Sequence, residues 1–310
     1  MSLAVLEPLR VPDRLRMPLV QERQWDLTVA ANRIKPKILL PAGWTAPSPL
    51  APGEHRVVIV FNQKGGAGKT TTAIELACAW AAMGYVVRVI DGDAQAAGLS
   101  GWLVPVYPED VAPADRKTLK HVLYGKAELD EATYFTNYQN VYVVPSYEDC
   151  AVAEYDPEVQ GERTLRRALR RSEAPVDVTI VDCSPKLGKL STFALALGGD
   201  LVVPSQVSGV DNKSNAPLRR TITDAQEEYD LTVRAAVLTA WSATKISRKI
   251  GNEMAAHYPE ALVCPVRRTV QATEAPDVDL PIRVHAPACN TTLDMDQLAY
   301  TLLPPRGGNT

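Results

Sequence analysis

Val57-Val58-Ile59-Val60-Phe61-Asn62-Gln63-Lys64-Gly65-Gly66-Ala67-Gly68-Lys69-Thr70-Thr71 decides the reading of this chain. Five consecutive apolar residues, Val57–Phe61, read as a strand covered on both faces. A glycine-rich loop follows, and an alanine-rich helix begins at Thr70 or Thr71. Glycines let backbone N–H groups turn inward and approach an anion closely, and a helix N-terminus adds partial positive charge. Strand, loop and helix in this order form a phosphate cradle of the P-loop type. Gly65, Gly66, Ala67, Gly68, Lys69, Thr70 and Thr71 are its candidate binding residues. Lys69 is positioned to reach the β- and γ-phosphates, and the Thr70 hydroxyl to ligate Mg²⁺.

Working outward, apolar runs alternate with helical stretches. Val86–Ile90, Val141–Val144, Val178–Val181, Leu201–Val203, Ala235–Leu238 and Ala261–Val263 read as further strands. Thr71–Met83, Arg163–Arg171, Asn215–Tyr229, Thr244–His257 and Thr292–Leu303 read as helices, the first ending at Gly84. This alternation predicts an α/β fold: a doubly wound, mostly parallel sheet with helices on both faces. Residues 1–53 differ. Their eight prolines exclude long helices and central strands, apart from a short helix around Gln21 to Arg33. The division expected is a Pro-rich N-terminal arm and linker over 1–53 and an ATPase-type domain over 54–310. Trp25 and Trp44 are costly to leave in water, so the arm packs them on its own core or docks on a partner or a second copy. Gly307 to Thr310 read as a frayed tail.

Two strand ends carry acids. Val86–Ile90 runs into Asp91-Gly92-Asp93-Ala94-Gln95, and residues two apart on a strand point the same way. Asp91 and Asp93 therefore emerge together at the edge where open α/β sheets bind ligands. Val176–Val181 runs into Asp182-Cys183-Ser184-Pro185. An aspartate after a buried strand is the arrangement that holds Mg²⁺ through water.

The loop departs from G-x-x-x-x-G-K-[ST], because Gln63 takes the first glycine position and Lys64 precedes the glycine pair. In this it resembles the deviant Walker A motif, KGGxGK[ST], of the ParA/MinD superfamily of ATPases. Three further blocks are similar: Asp91–Gln95 to D-x-D-P-Q, with Ala94 for proline; Asp182–Gly188 to D-x-P-P, with Ser184 for the first proline; and Val263–Arg268 with Glu274-Ala275-Pro276 to V-x-P-R…EAP. The resemblance covers about residues 56 to 303. It implies ATP and Mg²⁺ as cofactors and a homodimer with two ATP molecules sandwiched between protomers. By the same match Lys64 crosses to the partner's phosphates and Asp93 positions the attacking water. Asp91 lies in the metal's outer shell, Leu187–Leu190 forms a switch segment, and Pro265 and Arg267 lie near the adenine. The function implied is ATP-dependent DNA segregation. An ATP-bound dimer binds DNA without sequence preference in the cytoplasm, on the nucleoid, and a ParB-like adaptor triggers hydrolysis and release. Positioning of a protein assembly by the same cycle is the alternative.

Composition limits other classes. Net charge is −3, so any DNA contact rests on a local patch. Lys245, Arg248 and Lys249 share one helix face, and Arg267 and Arg268 follow the next strand. A MinD-like membrane helix is not expected, because Thr292–Leu303 contains Asp294 and Asp296 and no Lys or Arg. No run reaches the ~18 apolar residues of a spanning helix. Cys78, Cys150, Cys183, Cys264 and Cys289 have no C-x-x-C spacing and read as reduced thiols of a cytosolic protein. The residues around Cys150 and Cys183 do not match the iron–sulfur relatives of the superfamily.

Overall fold

The computed structural model of the protein describes residues 38–93, 98–159, 161–207 and 215–306. The helix expected around Gln21 to Arg33, Trp25, Ala94-Gln95 and the tail from Gly307 lie outside these. Eight strands among the described residues form one sheet in the order β3-β4-β2-β5-β1-β6-β7-β8. They are β1 (Arg56–Val60), β2 (Val87–Gly92), β3 (Tyr134–Phe135), β4 (Val141–Val144), β5 (Val178–Cys183), β6 (Gly199–Gln206), β7 (Leu231–Trp241) and β8 (Leu262–Arg267). All pairings are parallel except β3 with β4.

The principal helices are α1 (Lys69–Ala82), α2 (Leu99–Trp102), α3 (Leu119–Leu123), α4 (Gly161–Arg171) and α5 (Lys189–Leu195). After them come α6 (Asn215–Glu228), α7 (Lys245–His257), α8 (Val270–Glu274), α9 (Ile282–His285) and α10 (Asn290–Leu302). Strand alternation divides them. Val58, Val60, Val89 and Val202 face one way and pack with α1 and α10, whereas Ile59, Ile90, Leu201 and Val203 face α3, α4, α5 and α6. Ala236 and Leu238 continue the second face to α7. Helices therefore cover both faces, the condition for strands without a polar side. Helix α1 lies between the sheet and α10, so apolar residues surround it, and Trp80 Nε1 finds its acceptor at Ala299 O, 3.0 Å away.

Three features were not expected from the sequence. The sheet closes on one side with the two-residue antiparallel β3, to which Val106 also bridges. Strand β6 extends through Pro204 and shifts register between Leu201 and Val202. Strand β7 begins four residues early, because Thr232 and Arg234 interrupt the apolar run without ending the ladder. At the opposite edge, β8 is covered by the residues before the domain. Leu39 and Val263 exchange both backbone hydrogen bonds, at 2.8 and 3.0 Å. Pro265 lies two residues on, where a missing N–H is tolerated at a sheet edge. Ile38, Trp44 and Leu50 pack against the α1 core.

One ionic cluster is buried in the α1 layer. Glu75, with no exposure, accepts from Ile282 N at 2.6 Å and lies 3.9 Å from Arg283 Nε, and Arg283 also pairs with Asp296. Burial pushes the Glu75 carboxyl up, and Arg283 opposes the shift. Removing one member of such a set leaves an uncompensated buried charge. Arg283→Met is expected to lower the unfolding free energy by about 3 kcal/mol. The double variant with Glu75→Gln should recover part of that loss, and denaturant titration of the three proteins checks both outcomes.

Candidate nucleotide site

The register brings three chain segments to one point. Val60 of β1 pairs with Asp182 of β5, and Asp91 of β2 pairs with the same Asp182. The glycine-rich loop therefore leaves the sheet beside two buried acids. Asn62 sets the first bend: its Nδ2 donates to Pro204 O at 2.6 Å and its Oδ1 accepts from Lys64 N at 2.9 Å. This is the local turn that short amide side chains stabilise. Gly66 and Gly68 both take positive φ, 72° and 88°. A Cβ at Gly68 would also stand 3.0 Å from Thr239 Cγ2. Thr239 supports the loop from below by donating to Ala67 O at 2.9 Å. Gly65 and Gly66 are exposed, so the upper side of the loop is open to a ligand.

Lys69 opens α1 and folds back over the loop, its Nζ 3.1 Å from Lys64 O. It is only 6% exposed. Burial pulls its pKa down, while Asp182, Cys183 and Asp93 pull it up. A cation held in the loop by a single carbonyl is poised to exchange that contact for phosphate oxygens.

Asp182 carries the strongest indication of a cation. Oδ2 accepts from Thr70 Oγ1 at 2.7 Å. Oδ1 is buried and has no hydrogen-bond partner. Burial pushes the carboxyl up to about 8, against the lowering effect of the Thr70 bond. A buried carboxylate with an orphaned oxygen beside a hydroxyl fits a hard divalent cation such as Mg²⁺. No group of three or more His, Cys, Asp or Glu among the described residues forms a complete metal site. Such a cation would therefore take its other ligands from phosphate and water, as Mg²⁺ commonly does.

Asp91 is engaged by three protein donors. Its Oδ2 accepts from Ser100 N at 2.9 Å and Ser100 Oγ at 2.5 Å, and its Oδ1 accepts from Asp93 N at 3.2 Å. Burial pushes this carboxyl up to about 7. The side chain joins the end of β2 to the start of α2, and Ser100 Oγ in turn accepts from Ser146 N at 3.2 Å. Asp93 is half-buried and lines a cleft of about 580 Å³ with Ser184, Lys186 and Gly188.

A model of the AAA domain matches residues 55–234. The chromosome partitioning protein ParA of Caulobacter vibrioides is 30% identical over 242 residues, spanning 76% of this chain and 88% of that protein. The chain is a ParA/MinD-family ATPase. The sporulation initiation inhibitor protein Soj of Bacillus subtilis is 29% identical over 238 residues, 75% of this chain and 92% of Soj. Among solved structures, cobyrinic acid a,c-diamide synthase of Mycobacterium smegmatis with bound ADP and magnesium superposes with a TM-score of 0.64. It is 27% identical and covers 80% of this chain and 94% of its own.

Several expected family positions have different surroundings. Pro265 is buried in β8 opposite Leu238. Arg267 is held by Asp294, at 2.6 Å from NH2 to Oδ1 and 2.8 Å from Nε to Oδ2. That bidentate pair holds the guanidinium against α10. The acid responsible lies on α10, 27 residues away. Arg268 is exposed, as are Lys245, Arg248 and Lys249 of α7, which together line one shallow depression. Lys249 also lies 3.8 Å from Glu253. Cys150 and Cys183 are both buried, so neither is presented to a shared cluster. Among the described residues no helix is long and apolar enough to cross a membrane.

Asn62, Ser100 and Thr239 were not singled out from the sequence. Their contacts to Pro204, Ser146 and Ala67 join positions far apart in the chain. Thr239→Val keeps the shape and removes the bond to Ala67 O. A neutral hydrogen bond contributes about 1 kcal/mol, so the ATP dissociation constant should rise about five-fold. Equilibrium nucleotide titration measures this.

Proposed function

We propose that this chain is a DNA-segregation ATPase of the ParA type: Mg-ATP binding closes a homodimer, the dimer binds DNA without sequence preference, and an adaptor-stimulated hydrolysis releases it. The supporting observation is the open phosphate loop with Lys64 ahead of it. Gly65 and Gly66 face outward, so bound phosphates would meet the surface of a second copy. In this reading Lys64, ahead of the glycine pair, would supply a cation to the partner's phosphates. A ParB-like adaptor and a cytoplasmic, nucleoid-associated life follow from the same reading.

In this reading the loop N–H groups and Lys69 bind the β- and γ-phosphates, and Thr71 completes the first helical turn around them. Thr70 Oγ1 and, through water, Asp182 would hold Mg²⁺. Held there, Mg²⁺ would supply charge neutralisation at the phosphate oxygens. Asp93 orients the attacking water and accepts its hydrogen bond. Asp91 fixes the backbone from which Asp93 projects, by accepting from its N–H. Lys245, Arg248 and Lys249, with Arg268, contact DNA phosphates.

Asp93→Ala should retain ATP binding and dimerisation but turn over at least 10²-fold more slowly, the scale of loss for a positioned proton acceptor. If the variant turns over ATP at the wild-type rate, or loses ATP binding, Asp93 has another role. Lys64→Ala should fold normally and show a smaller dimer fraction in sedimentation with a slowly hydrolysed ATP analogue. Equal fractions would leave Lys64 as a surface charge.

DNA binding measured with ATP, with ADP and without nucleotide tests the function itself. Binding should need ATP and be nearly indifferent to sequence. Each lost phosphate contact reduces the slope of log affinity against log salt by about 0.9, so changing Lys245, Arg248 and Lys249 to Ala should flatten it by about 2.7 per protomer. An ATP-bound chain that ignores DNA at low salt would refute the proposal.

A further inference from the structure

Helix α4 carries a second concentration of positive charge that the α7 surface does not explain. In its sequence Gly161-Glu162-Arg163-Thr164-Leu165-Arg166-Arg167-Ala168-Leu169-Arg170-Arg171 there are five arginines, one acid and no lysine. Leu165 and Ala168 are buried against the sheet, and Leu169 packs beside them. The spacing then places Arg163, Arg167 and Arg170 at i, i+4 and i+7 on the outer face. All three are exposed. None of the three pairs with an acid among the described residues. The other two arginines are engaged elsewhere. Arg166 donates Nε to Ala196 O at 3.0 Å and lies over the Tyr229 ring, which anchors the helix. Arg171 lies 3.3 Å from Glu128. Glu162, the one acid on α4, is half-buried.

We propose that the Arg163–Arg167–Arg170 stripe is a second DNA-phosphate surface, separate from the α7 surface; this rests on the DNA-binding reading above. Three properties favour a nucleic-acid backbone over a protein partner. The guanidinium fork matches phosphate oxygens in pairs, which lysine does not. The stripe spans about 10 Å of helix axis at 1.5 Å per residue, so the side chains reach successive phosphates of one strand. No large apolar residue of α4 is exposed, whereas protein interfaces enclose an apolar core within a polar rim.

The surface is separate because α6 lies between. Leu218, Ile222 and Ala225 seat α6 on the same sheet face as α4, next to β7, while its outer side exposes Asp224, Glu227 and Glu228. Asp224 is 3.9 Å from Arg220, and the two glutamates remain as an acidic ridge. A straight duplex laid from α4 to α7 would press its phosphates on that ridge. Each basic stripe therefore engages its own stretch of backbone.

The test uses the full chain bound to a slowly hydrolysed ATP analogue and a fluorescent duplex of random sequence, titrated over a range of KCl. R163Q/R167Q/R170Q should flatten the salt slope by about 2.7 per protomer, at about 0.9 per contact. The effect should add to that of the α7 triple variant. R163K/R167K/R170K should retain most of the slope. ATPase activity without DNA should match wild type in both, which shows that the variants are folded. If the glutamine variant keeps the wild-type slope while the α7 variant loses its own, α4 is not a DNA surface and the segregation reading stands. If wild type does not bind the duplex, that reading fails and this proposal with it. Stronger, α4-dependent binding of poly-glutamate than of duplex, measured in the α7 variant, would assign the stripe to an acidic protein partner and overturn the proposal.

Discussion

The nucleotide edge depends on one buried carboxylate. Asp182 stands at the end of a strand with parallel neighbours on both sides, β1 and β2, so its backbone cannot move without disturbing the centre of the sheet. One oxygen holds Thr70 at 2.7 Å and thereby ties the first turn of α1 to β5. The other oxygen is buried and unsatisfied. An ionised carboxylate in that state is costly unless a cation arrives. The site is thus prepared for a cation, and the same residue that orders the loop would hold it. Gly92 allows the arrangement, since a Cβ there would stand 2.5 Å from Asp182 O.

Around this point the fold supplies support from several directions. Asn62 reaches β6, Thr239 reaches up from β7, and the Asp91–Ser100–Ser146 chain ties β2 to α2 and the end of β4. The result is a loop held firmly from below and open above. The basic stripes of α4 and α7 lie elsewhere, on helices that cover one sheet face.

Much of this was legible in the sequence where one constraint dominates. Strands buried on both faces, such as Val141–Val144, must be continuous apolar runs, and the phosphate loop must use glycine where φ is positive. Elements with mixed requirements were less visible. Strand β3 is two residues long, and β7 begins with Thr232 and Arg234 on a partly exposed stretch. Within the site, the spacing puts Asp91 and Asp93 together at the end of β2 but could not show that Ser100 donates to the Asp91 carboxylate. Arg267 carries the same lesson. Its charge is plain from the sequence, whereas its neutralisation by Asp294 depends on how α10 docks against β8.

The central claim is that this loop binds the phosphates of Mg-ATP through Lys69. Calorimetric titration of ATP into wild type and Lys69→Ala, each with and without Mg²⁺, tests it most directly. The account predicts magnesium-dependent binding in wild type and none in the variant, with both proteins giving the same circular dichroism spectrum. Near-native ATP affinity in a folded Lys69→Ala protein would contradict it.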